Sequence, residues 1–194
     1  MKEIFFFIAP TILILACIKP AKLGINNNQQ VQEQSKKDSL IETIDNQGAK
    51  PTALGNLFTL TDAEKIIGQS AHLTDSSTKD DGDVLIYRCS YKANVEEVKT
   101  QKTGAVYFLV EQYNQISSAE KKYSSIKTAN ENHEGVKVLD DMGDEAYYHS
   151  DGENFYFIMV RKGTRVFNMK VNKITSTTSL DEFNLIAKRI TADL

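Results

Sequence analysis

The chain has 194 residues, of which 41% are hydrophobic and 25% charged, and a formal net charge of −3. That balance is ordinary for a globular domain. The mild acidity argues against a nucleic-acid partner, which would require a basic face.

The amino terminus opens on an apolar run, Ile4 to Ala16, interrupted by Pro10 and Thr11 and preceded by Lys2 and Glu3. Thirteen helical residues would cover only ~20 Å, short of the ~30 Å hydrocarbon core. The length suits the hydrophobic region of a secretion signal. The run closes on Ile14-Leu15-Ala16-Cys17, which resembles the bacterial lipobox, an aliphatic and then a small residue before a cysteine. The resemblance implies a signal peptide over residues 1–16, diacylglycerol and fatty acyl groups such as palmitate on Cys17, and a mature chain beginning there. Several acyl chains, at ~0.8 kcal/mol per buried methylene, make such an attachment effectively permanent. Ile18 is not the aspartate that resembles an inner-membrane retention signal, so the expected location is the cell envelope, on the outer membrane if the organism is Gram-negative.

Residues 17–54 read as the lipidated cysteine and a polar tether. Asn26 to Asp38 holds a single aliphatic residue, Val31, too little apolar surface to fold. A flexible chain of about 37 residues has a root-mean-square span of ~35 Å and a fully extended reach of ~120 Å.

Residues 55–194 are long enough for one core. Thr61-Asp62-Ala63-Glu64, Ser117-Ser118-Ala119-Glu120 and Ser179-Leu180-Asp181-Glu182 have the spacing of capping boxes, and so predict three helix starts. The first helix ends at Gly68. The second presents Ala119, Tyr123, Ile126 and Ala129 on one face, and the third Phe183, Ile186, Ala187, Ile190 and Leu194. Strands are predicted at Ala71–Ser77, Val84–Lys92, Gly104–Tyr113, Glu145–Ser150, Phe155–Arg161 and Thr164–Lys173, with a minor one at Val136–Leu139. Asp151-Gly152 and Lys162-Gly163 supply short hairpin turns. The expected fold is α+β: an antiparallel sheet of about six strands covered by amphipathic helices, in the order α-β-β-β-α-β-β-β-α. The Cys89 strand, Gly143-Asp144-Glu145-Ala146-Tyr147-Tyr148, the Val160-Arg161-Lys162-Gly163 hairpin and the Ala187-Lys188-Arg189 helix together resemble small bacterial lipoprotein domains of the PsbP/Mog1-like α/β/α sandwich type. That resemblance implies binding or assembly roles and carries over no catalytic residue.

Chemistry is sparse. Cys89 follows strand alternation with Leu85, Tyr87 and Tyr91 and reads as a buried core thiol. His72, His133 and His149 form no His-Glu-x-x-His motif. The acidic turns Asp80-Asp81-Gly82-Asp83 and Asp140 to Glu145 fit turn chemistry better than a cation loop. No metal or cofactor is expected. The remaining candidates are Tyr147, Tyr148 and Tyr156 beside the hairpin bearing Arg161, Lys162 and Arg165. Exposed, they would form an aromatic patch with a basic rim, suited to an envelope protein or a small ligand. Covered on both sheet faces, they would instead be core. The leading expectation is a non-enzymatic, membrane-anchored binding domain. The alternative is an envelope hydrolase whose site is built from dispersed carboxylates and a histidine.

Overall fold

The computed structural model describes residues 53–194. The expected signal peptide, Cys17 and the expected tether up to residue 52 lie outside the described residues. A 3-10 turn, Ala53–Asn56, leads into α1 (Leu60–Ile67), followed by β1 (Ala71–Asp80), β2 (Val84–Ala93) and β3 (Ala105–Tyr113). Then come α2 (Ile116–Asn130), β4 (Val136–Leu139), β5 (Glu145–Ser150), β6 (Phe155–Lys162), β7 (Arg165–Asn172) and α3 (Leu180–Asp193). The class is α+β, with one antiparallel sheet of seven strands in the order β1-β2-β3-β7-β6-β5-β4. Two details of the expected order are corrected. A 3-10 turn precedes α1, and the short segment Val136–Leu139 is a full sheet member, paired with β5 through Val138 and Tyr147.

Two antiparallel meanders, β1-β2-β3 and β4-β5-β6-β7, meet where β3 pairs with β7. The register sets Val106, Phe108 and Val110 opposite Val171, Met169 and Phe167, so apolar positions of both strands fall on one face. On that face Phe108 lies between Phe58 (centroids 5.2 Å apart) and Phe167 (6.1 Å). Ile66 and Ile67 of α1 and Phe183, Ile186, Ala187 and Ile190 of α3 complete this core. Cys89 is buried within it as a free thiol, and burial raises the thiol pKa above its ordinary value. A second, smaller core lies on the opposite face, where Ala119 and Tyr123 of α2 cover Tyr147, Met159 and Val166. Helices therefore cover both faces of the sheet.

The helix starts show how local signals compete. The α1 cap is Thr59, two residues before the expected Thr61. Its Oγ1 accepts from Asp62 N, and Asp62 Oδ2 accepts from Thr59 N at 2.9 Å. Asp62 Oδ2 also accepts from Arg189 Nη2 of α3 at 3.0 Å, a tertiary tie that favours the earlier register. For α2 the cap is Gln115, with no side-chain hydrogen bond, so Ser117 and Glu120 fall inside the helix. At α3, Ser179 Oγ accepts from Glu182 N as expected, while Ser179 N donates to Ile66 O of α1 at 2.8 Å. The Gly68 C-cap of α1 is left-handed (φ +75°), and a Cβ there would fall 2.0 Å from Thr177 O; only glycine fits.

Adjacent β3 positions provide a test. Phe108 is buried, whereas Tyr107, pointing the other way, is 45% exposed. Phe108→Ala is expected to cost about 3–5 kcal/mol of stability, and Tyr107→Ala under about 1 kcal/mol, in denaturant unfolding.

Candidate functional site

The sequence-predicted binding residues separate into three environments. Tyr147 is fully buried under α2, its ring 6.0 Å from Tyr123 and 5.7 Å from Phe157. Burial pushes its pKa up to about 12, and its hydroxyl has no hydrogen-bond partner among the described residues. It belongs to the core.

The basic residues hold the domain together. Arg161 is buried: its Nε donates to Glu145 Oε2 at 2.6 Å and its Nη1 to Asp144 Oδ2 at 2.9 Å. Asp144 Oδ2 also accepts from Gly163 N at 2.7 Å, so this cluster closes the β6–β7 turn onto the start of β5. Lys162 Nζ donates to Thr191 O at 2.9 Å, and Arg165 Nη1 to Leu194 O at 3.0 Å. Both cations thus satisfy carbonyls at the C-terminal end of α3, where the helix dipole favours positive charge. Five residues of strand, roughly 16 Å, separate Tyr156 from Arg161 along β6.

Tyr148 and Tyr156 do come together. They project from β5 and β6 on the face that carries α1 and α3, with ring centroids 6.3 Å apart, and Tyr156 leans on Phe183 of α3 at 6.1 Å. Burial raises the Tyr148 pKa, against an opposing effect of the Ser150 hydroxyl. The two rings line a cavity of about 710 Å³ with Lys137, Ser150, Asp151 and Leu180, open at the β4 edge. Glu134 and Gly135 complete its mouth.

Its wall is a rigid turn. Asp151 Oδ1 accepts from the backbone N–H of Glu153 (3.0 Å), Asn154 (2.7 Å) and Phe155 (3.2 Å), and Oδ2 accepts from Asn154 Nδ2. Those bonds, Asn154's above all, hold the Asp151 carboxyl well below the usual carboxylate range. On the other lip, Gly135 has φ +84°, and a Cβ would fall 1.9 Å from Ser150 O. Backbone here approaches too closely for any side chain.

Lys137 and Ser150 had no signal in the sequence. The β4–β5 register, with Lys137 opposite Tyr148, brings Lys137 to this face. The histidines behave differently from one another: His72 is exposed and bonds Asn94 Oδ1 through Nδ1 at 2.6 Å, while His133 and His149 lie 5.8 Å apart on the α2 face. Among the described residues no group of three or more His, Cys, Asp and Glu side chains is placed to hold a metal ion, and no helix is long and apolar enough to cross a membrane. Comparison with protein-family models, with curated proteins and with solved structures finds no match.

Two outcomes follow from these placements. Tyr147→Phe removes an unpaired buried hydroxyl, so thermal unfolding is expected to show unchanged stability or a gain of about 1 kcal/mol. The Asp151 carboxyl has a lowered folded-state pKa, so its contribution is complete above its unfolded value near ~4 and fades as pH falls below it. Stability measured from pH 6 down to pH 2 should therefore fall less steeply in Asp151→Asn than in the native chain.

Proposed function

We propose that this protein is a lipid-anchored envelope component whose folded domain binds a partner or ligand in the Tyr148–Tyr156 groove without chemical conversion. The observation that carries the reading is the groove itself: paired tyrosine rings on a rigid strand pair, with exposed Lys137 beside them and a wall whose Ser150 and Asp151 side chains are bonded into the turn. Amphipathic rings give large contact area at small entropic cost, and surrounding polar groups set orientation. A glycan or an extended peptide segment fits such a platform better than a compact substrate requiring enclosure. The carboxylates displaced from ordinary titration, Glu97, Asp141 and Asp151, are all displaced downward by hydrogen bonds. A catalytic acid would be displaced upward. The anchoring part of the reading rests on the lipobox-like Ile14-Leu15-Ala16-Cys17.

Labelled palmitate fed to the producing cells should appear on the native chain and not on Cys17→Ala. A partner captured from solubilised membranes by the anchored chain should be retained less well by Tyr148→Ala and by the exposed-rim change Lys137→Glu. Truncating a central tyrosine is expected to cost about 1–2 kcal/mol, or roughly five- to thirtyfold in affinity. Equal retention by both variants, with native circular dichroism, would dismiss the groove.

A further inference from the structure

A second concavity lies on the opposite face, beyond the C-terminal end of α2. It encloses about 430 Å³ and is lined by Ile126, Asn130, His133, His149, Phe155, Phe157 and Lys170. Its floor is built by sheet register. His149 of β5 pairs directly with Phe157 of β6, and Phe157 with Lys170 of β7, so imidazole, phenyl ring and ammonium stand side by side on one face. Phe155 locks the arrangement. His149 meets its ring edge-on (4.9 Å, 89°), and Lys170 Nζ sits 5.3 Å from its centroid. His133, from the loop after α2, closes one side, 5.8 Å from His149.

Three features point to a ligand. The first is charge: the chain carries more acids than bases, yet every ionisable group lining this site is basic. The second is unspent bonding capacity. Among the described residues the imidazole hydrogen bond is that of His72, and the ion pairs leave Lys170 out. The third is the floor, two phenyl rings and Ile126, which offers apolar area beside the cationic rim.

We propose that this concavity binds a small organic carboxylate with an aromatic or aliphatic body. The carboxylate would pair with the Lys170 ammonium and accept from the imidazole N–H groups, while the body lies on Phe155 and Phe157. The site is separate from the tyrosine groove and does not depend on its role.

The test titrates full-length chain in detergent with phenylacetate and, separately, with its neutral isostere phenylacetamide, following the imidazole C–H proton signals. His72 serves as the internal control. Phenylacetate is expected to shift His133 and His149 saturably, with a dissociation constant of millimolar order, and to bind about threefold or more tightly than the amide. Lys170→Gln, an exposed position outside the core, should erase that preference and leave the fold intact. Equal affinity for acid and amide, a preference that survives Lys170→Gln, shifts confined to His72, or no saturable shift would each overturn the site.

Discussion

The pairing of β3 with β7 is the constraint on which the rest depends. Each meander is built from neighbours in sequence, but the two are joined into one sheet by strands roughly sixty residues apart, through Val106–Val171, Phe108–Met169 and Val110–Phe167. Local turns cannot enforce that register. It is held by burial, because a one-residue slip would move Phe108, Phe167 and Met169 out of the core shared with α1 and α3 and onto the other face. The loop-closure entropy of this contact must be met before its apolar contacts form. The aromatic stack from Phe58 through Phe108 to Phe167 straddles that seam.

Sheet width then dictates where open surface remains. Seven strands at ~4.8 Å spacing span about 30 Å, whereas a packed helix covers about 10 Å. Two helices, α1 and α3, leave about a third of their face open, and the open part is the β4–β5 edge carrying Tyr148 and Lys137. A single helix, α2, leaves more of the other face bare. On one side the bare strip carries Tyr107 and Arg88; on the other the edge of the α2 core, at Phe157, gives way to His149 and Lys170. Both concavities thus combine strand surface left open by helix coverage with the loops that border it. Their floors are strand positions set by hydrogen-bonded register, the kind of rigid support that a binding site requires, and turns complete their sides.

Much of the fold was legible because each local device had a physical signature. Alternation in Val106-Tyr107-Phe108, the Asp151-Gly152 and Lys162-Gly163 turns, the stripe from Phe183 to Ile190, and the buried position of Cys89 all lie where pattern places them. The capping signals were ambiguous because Thr59 and Thr61 each precede a carboxylate by three residues, and tertiary contacts separate them: Arg189 bonds Asp62, while Glu64 accepts from Ala71 N instead. The candidate site was legible in half. Aromatic enrichment around β5 and β6 was visible, but alternation alone does not say which face a helix will cover, so Tyr147 and Tyr148 were indistinguishable. The basic hairpin was harder still. Its charge reads as a solvent-facing patch, whereas its partners, Asp144, Glu145 and the last carbonyls of α3, are fixed only by tertiary packing. Phe155 and Phe157 face the α2 side beside His149 because of a three-strand register that no single segment encodes.

The described domain begins at the 3-10 turn, where Gly55 faces the Tyr87 ring on β2. From β2 to β5 the sheet is four strand spacings wide, about 19 Å. The first described turn therefore lies at the side of the sheet away from Tyr148 and Tyr156. The groove is thus built by β4, β5, β6, the turns beside them and the start of α3, and by nothing from the first described turn.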